Sequence, residues 1–391
     1  MTSAYILLLF GSLLNSGALG ISDELWKNLV PLKIAVISGY GTLEPAIQEE
    51  LQNSLKWFQN AFLVHQSEIP VKLEDVYSRI PEYRKFSSVI VQTSNHRSNL
   101  KLASENMRNL LKTADFSVFV VAQDPKKCAR NPDLLAEALP IILVPDNRPP
   151  LATMSICLNN HPKQLTSRFF YDLFRHEILH GLGYGLIIDK SAATHKSPMK
   201  YTWRDAKGVG RPGIKHFLDF GEFALEKAKH HFECHKLAGI EADGERKNHL
   251  NEYIFGNELM TTHLEPFGNV FSWISAGIIE RTYNGERQWY HVNSTFVSSE
   301  ARQYSYGRSF GCEFLNGSCH DFIRIAGQRR LNISPFCGEN MCYKAPGTLK
   351  LIEISKNQCE NRRVTGEKEK WCPMIKNLPA SYIVQKCSQN S

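Results

Sequence analysis

Several things are scarce or missing in this 391-residue chain, and each absence removes a class of protein. The apolar run from Tyr5 to Leu14 is too short to span a bilayer comfortably, so stable membrane insertion is not expected. No two cysteines form Cys-x-x-Cys, and Cys337-x4-Cys342 lacks a matching His or Cys set, which argues against a thiolate zinc module. The formal net charge is +7, yet the cations are scattered among acids, with short clusters such as Lys126-Lys127 and Arg329-Arg330 in place of one stripe. A solvated surface follows, with no nucleic acid as partner; mild basicity favours acidic substrates or anionic cell surfaces at most. There is no internal repeat and no low-complexity segment. With 42% hydrophobic and 22% charged residues, what remains is ordinary globular protein, long enough for two or three domains.

What is present points outside the cell. The Tyr5–Leu14 run, followed by small residues at Ala18 and Gly20, reads as a signal peptide over residues 1–20, although no Lys or Arg precedes it; an N-terminal anchor is the rival reading. Ten cysteines, seven of them from Cys312 onward, predict disulfides, and Cys128 with Cys157 is the economical pair of the first half. Sequons at Asn293, Asn316 and Asn332 predict a glycoprotein. Residues 386–391 are polar and carry no hydrophobic tail for a lipid anchor. A secreted, extracellular monomer is expected.

Strand and helix patterns alternate through the first half. Residues 32–39, 86–92 and 116–121 read as strands, as does Val76-Tyr77 more weakly; 44–62 and 102–112 read as helices. A proline-bounded run at 140–145 and a segment at 153–157 read as further strands, and the first suits a sheet edge. Residues 190–211 read as a polar surface excursion, 217–232 as a helix and 239–248 as turns. The last hundred or so residues show no long periodic helix, so a mostly irregular, strand-rich and disulfide-stapled region is expected.

The chemistry is concentrated in Phe174-Arg175-His176-Glu177-Ile178-Leu179-His180-Gly181-Leu182-Gly183-Tyr184. A helix capped at Thr166 or Ser167 would bury Phe169, Phe170, Leu173, Phe174, Ile178 and Leu182, and leave His176 and His180 together on another face. Two neutral imidazoles plus a third protein ligand suit one zinc ion per chain. The fourth position goes to a water whose pKa the metal lowers, and Glu177 is placed to take its proton. Peptide hydrolysis is the implied reaction. Spacing alone does not choose the third ligand. Leu186 occupies the position a compact motif would give to histidine, and the candidates downstream are His195, His216, His230, His231, His235, His249 and His263, or Glu222 or Glu226.

Residues 228–239, Asn248-His249 and Gly256-Asn257-Glu258-Leu259-Met260-Thr261 resemble, in order and spacing, the corresponding part of the leishmanolysin-like metallopeptidases, which are metzincins. The Cys128–Cys157 segment with Arg148-Pro149, the start at Leu32–Val36 and Gly311–Leu315 resemble the same family. The resemblance implies His249 as third zinc ligand beside His176 and His180, Glu177 as general base, and Met260 as the methionine of the turn beneath the metal. It further implies an α+β, metzincin-type zincin. Its parts would be a mixed-sheet N-terminal subdomain at 21–184 ending in the active-site helix, a mainly irregular and helical subdomain at 185–270 and a disulfide-rich C-terminal domain at 271–391. An edge strand near Met154–Cys157 would hold an extended substrate. The chain departs from the family pattern at Leu250-Asn251, where an aromatic and an acidic residue are usual, and no cysteine precedes Cys128 to block the zinc in a latent form. The function expected is a zinc endopeptidase acting on extracellular proteins or peptides. A gluzincin with Glu222 or Glu226 as ligand, and a catalytically idle adhesion or decoy protein, are the alternatives.

Overall fold

The computed structural model describes residues 28–387 except 41–42, 66–70, 143–147, 158–159, 161–165, 186–196, 219–221, 245–246, 266–267, 283–287, 330, 339, 345–346, 349, 364–369 and 377–382. The signal segment and the region of His195 lie outside the described residues.

After β1 (Leu29–Pro31), strand β2 (Ile34–Ser38) alternates its side chains between two apolar faces and so demands cover on both. On one face Ile34 and Val36 join a core with Leu51, Leu55 and Phe58 of α1 (Pro45–Ala61), which begins with Pro45 as expected. β3 (Phe62–His65) follows and pairs antiparallel with β1. On the other face Ala35 and Ile37 meet Leu73 and Val76 of α2 (Leu73–Arg79). Val76-Tyr77 is therefore helix and not strand: Leu73, Val76 and Ile80 recur at helical spacing and are all buried, and Glu74 and Asp75 sit in the favourable first turn.

The sheet continues with β4 (Ser88–Gln92), β5 (Arg97–Lys101), α3 (Ser104–Thr113), β6 (Phe116–Val120), α4 (Pro125–Arg130), β7 (Ala136–Ile142) and β8 (Leu151–Ile156). Its strand order is β5-β4-β2-β6-β8-β7, with β2, β6 and β8 parallel and the rest antiparallel. One expectation is corrected here. β8 lies between β6 and β7, so Met154–Cys157 does not offer a free edge; β7 does, among the described residues.

The motif helix α5 (Ser167–Gly181) packs on α1 and against β7 and β8. Beyond it the supposed surface excursion contains an antiparallel pair, β9 (Met199–Arg204) and β10 (Gly210–Phe217), so Phe217 ends a strand and helix α6 spans Glu222–Phe232. β11 (Glu241–Asp243) and β12 (His249–Leu250) complete a sheet of order β12-β11-β10-β9, where turns alone were expected over 239–248. Next come α7 (Glu252–Phe255) and four helices in the stretch expected to be irregular: α8 (Trp273–Glu280), α9 (Ser294–Ala301), α10 (Gly311–Asn316) and α11 (Cys319–Arg329). Helix α8 hides its period because Ile274, Ala276, Ile278 and Ile279 are buried on all sides. Between α8 and α9, β13 (Tyr290–Val292) pairs with β3 and ties this stretch to the N-terminal half. Small antiparallel pairs finish the chain.

All ten cysteines are bridged, Cys128–Cys157 as expected and the others as Cys234–Cys312, Cys319–Cys372, Cys337–Cys359 and Cys342–Cys387. No described helix is long and apolar enough to cross a membrane.

Candidate metal centre

Helix α5 starts where Thr166 accepts a hydrogen bond from the Phe169 N–H, and its second half is buried all round, including Asp172, Arg175, His176, Glu177 and His180. The two-faced helix read from the sequence thus understates its environment. Just past its end Gly183 takes φ 101°, a conformation that costs side-chain-bearing residues energy, and the chain turns away.

His176 and His180 lie one turn apart, and β12 brings His249 to them from 69 residues downstream of His180. The three Nε2 atoms form a nearly equilateral triangle, with separations of 3.1 Å for His176 and His180, 3.0 Å for His180 and His249 and 3.2 Å for His176 and His249. Zinc–nitrogen bonds of about 2.0–2.1 Å at tetrahedral angles place ligand nitrogens about 3.3 Å apart, so this donor set fits a zinc ion closely. Among the described residues no other group of three or more His, Cys, Asp or Glu side chains converges in this way.

The outer side of the His176 ring explains why its Nε2 lone pair points inward. His176 donates its Nδ1–H to the Leu259 carbonyl at 2.8 Å, which leaves Nε2 bare. His180 Nδ1 faces the Asn248 side-chain amide at 3.3 Å. His249 packs against Gly244 at φ 79°, where a Cβ would come within 2.7 Å of the His249 Nδ1; that nitrogen is buried without a hydrogen-bond partner among the described residues. Burial holds His176 down at about 4 and His249 at about 3, the latter with help from His176, so both rings are neutral at pH 7.

Glu177, the next residue after His176 on the helix, is buried. Burial first, then the neighbouring Glu137 charge, push its carboxyl up to about 8, while the Ala138 N–H it accepts pulls the other way. That hydrogen bond sets the carboxylate against β7, which among the described residues is one of the two edge strands of the sheet. Met260 is fully buried, and its carbonyl accepts the Leu250 N–H at 2.9 Å, so the turn that contains it is bonded to the strand carrying His249.

Two of the other candidates are engaged in contacts of their own. Glu226 pairs with Lys229 at 2.6 Å on the surface, and His231 stacks on Tyr304 with ring centroids 4.6 Å apart while its Nε2–H is donated to the Tyr306 carbonyl. Sequence reasoning missed the Leu259 carbonyl, a backbone atom that no residue identity announces. It also missed the polar group behind α5, whose one visible signal is Asp172 and Arg175 inside an otherwise apolar helix.

Comparison with known proteins agrees with this geometry. The sequence model of peptidase family M8, leishmanolysin, matches residues 72–340. Leishmanolysin-like peptidases from Caenorhabditis briggsae and Caenorhabditis elegans are 26% and 24% identical over 316 residues, which is 70% of this chain and 44% of each relative. The protein of that name from Drosophila pseudoobscura pseudoobscura is 24% identical over 273 residues, 59% of this chain and 37% of its own. The chain spans less than half the length of these curated relatives. With more than half of its residues inside the family pattern, the chain belongs to the leishmanolysin family of metallopeptidases.

Proposed function

We propose that this protein is an extracellular zinc endopeptidase in which His176, His180 and His249 hold the metal and Glu177 is the general base. The observation that carries the reading is the triangle of converging Nε2 atoms, with the buried Glu177 one residue along the helix from His176. Zinc in such a site supplies Lewis acidity towards the scissile carbonyl and lowers the pKa of the attacking water.

The protein's own groups do the rest. A peptide lies extended along the outer edge of β7, where the strand can offer main-chain hydrogen bonds. Glu177, fixed by the Ala138 N–H, takes a proton from the attacking water and returns it to the leaving amine nitrogen. Its carboxyl would be drawn by a metal ion held by the three histidines below the value that burial and Glu137 give it, which favours a base at neutral pH. The surrounding apolar core keeps bulk water from competing for that proton.

The metzincin division into 21–184, 185–270 and 271–391 belongs to this reading, with the last part contributing helices as well as the disulfide-rich end. Five disulfides support an oxidising, extracellular setting. Protein or peptide substrates follow from the family, and a monomer is proposed. Of the two glutamates that could replace His249, Glu226 is engaged by Lys229, which counts against it as a ligand.

The test compares wild type with Glu177→Ala and His249→Ala. Glu177→Ala should retain zinc and lose peptide hydrolysis by about 10²–10⁴-fold, whereas His249→Ala should lose the metal. A zinc-loaded wild type that hydrolyses no peptide sinks the enzyme reading in favour of an idle member of the family.

A further inference from the structure

The turn behind the histidines is itself held by a carboxylate that the proposed chemistry does not use. The Leu259 carbonyl takes the His176 Nδ1–H at 2.8 Å, and the Met260 carbonyl takes the N–H of Leu250, next to His249, at 2.9 Å. Two of the three imidazoles are thereby referred to one short piece of backbone. Its shape depends on Glu258, which is fully buried. One carboxylate oxygen accepts the Met260 N–H at 2.6 Å, and the other accepts the Ser272 N–H at 3.0 Å and the Ser272 hydroxyl at 2.9 Å. The Glu258 carbonyl is held as well, by the Thr261 hydroxyl at 2.9 Å and the Asn269 amide at 3.0 Å. Ser272 in turn caps α8, accepting from Ile274 and Ser275, so the turn is anchored to the start of a buried helix.

Burying a carboxylate costs several kcal/mol unless donors surround it, and a neutral side chain of the same size would fill this space without that cost. Packing therefore does not account for an acid here, whereas fixing donors on two separate segments, the Ser275 hydroxyl among them, does. On the reading that the three histidines hold zinc, we propose that Glu258 is a positioning residue for the metal. By clamping the Met260 and Ser272 N–H groups it sets the Leu259 and Met260 carbonyls, and through them the tautomer of His176 and its placement relative to His249. No atom of Glu258 touches the ion or the substrate.

The experiment measures zinc dissociation constants by chelator competition at neutral pH, and the visible absorption of the cobalt-loaded protein. It uses wild type, Glu258→Gln, Ser272→Ala and His249→Ala. Glu258→Gln keeps the volume but turns one acceptor into a donor that faces other donors. Its zinc dissociation constant should rise by about 10-fold, with an altered cobalt spectrum, and Ser272→Ala should move both readouts less in the same direction. A lowered melting temperature with wild-type zinc affinity and cobalt spectrum makes Glu258 merely structural and overturns the proposal. Should Glu258→Gln not fold, Ser272→Ala decides by the same two outcomes, since it removes one donor and leaves the carboxylate in place. Failure of the underlying metal reading looks different. Wild type would then bind no zinc, or His249→Ala would bind it as wild type does, and the role of Glu258 would fall with that reading.

Discussion

Helix α5 is gripped in two ways, and the two grips obey different physics. Towards the sheet and α1, Phe174, Ile178, Leu179 and Leu182 share one apolar core with Ala138, Ala152 and Met154. Towards the segments at 269–271 and α9 the grip is polar. Fully buried Arg175 pairs with Asp172 at 2.5 Å and with Glu300 at 2.7 Å, and its guanidinium lies 4.7 Å from the Trp57 ring and 4.4 Å from that of Tyr171. Asp172 also accepts the Asn269 N–H at 2.7 Å, and Glu300 accepts the Phe271 N–H at 3.0 Å and the Trp57 indole N–H at 3.1 Å. Apolar contact fixes where the helix lies but tolerates small changes of shape. A charged network tolerates almost none, because each lost partner strands a buried group.

If this contrast is right, a nearly isosteric change should cost far more in the polar grip than in the apolar one. Glu300→Gln, which leaves Arg175 with one carboxylate in place of two, should lower the free energy of unfolding by about 3 kcal/mol in denaturant titration. Ile178→Val, one methylene removed from the apolar side, should cost about 1 kcal/mol by the same measurement. Equal costs would erase the distinction.

The smallest effect concerns a buried polar group outside both grips. Burial holds His231 at about 4, below the ordinary 6.5, despite its hydrogen bond to the Tyr306 carbonyl. The unfolded chain therefore binds a proton there before the folded one does. Stability from this residue is complete above pH 6.5 and declines as the pH falls towards 4. Between pH 7 and pH 6 the decline should be under about 1 kcal/mol in metal-free protein, and His231→Phe should remove that share of it. A wild type and variant with the same pH slope would show that the ring is not held neutral.

The same contrast explains what could be read in advance. The Thr166 cap, the apolar positions of α5 and the strands around Ile34–Ser38 and Phe116–Val120 are local patterns, and they stand where the sequence places them. Polar strands such as Arg97–Lys101 carry no apolar alternation to notice, and the β9–β10 pair exposes most of its residues. Val76-Tyr77 misled because two β-favouring residues are too short a sample to separate period 2 from period 3.6. His176, Glu177 and His180 were legible as a motif. His249 was not legible from spacing, because an intervening sheet and helix decide where it arrives; only the likeness to a known family singled it out. Glu300 lies 125 residues from Arg175, and nothing local in either segment names the other.

One covalent feature has an effect on handling. Cys337–Cys359 is nested within Cys319–Cys372, and Cys342–Cys387 crosses both. A single proteolytic cut anywhere between Cys319 and Cys387 therefore leaves the two pieces joined. Such a nicked molecule would migrate as intact on a gel run without reductant and separate only after reduction. A cut between Cys312 and Cys319, which no bridge spans, would give two separate bands on the same denaturing gel without reductant. For a protein of a peptide-cutting family, intact mass under non-reducing conditions is thus no proof of an uncut chain.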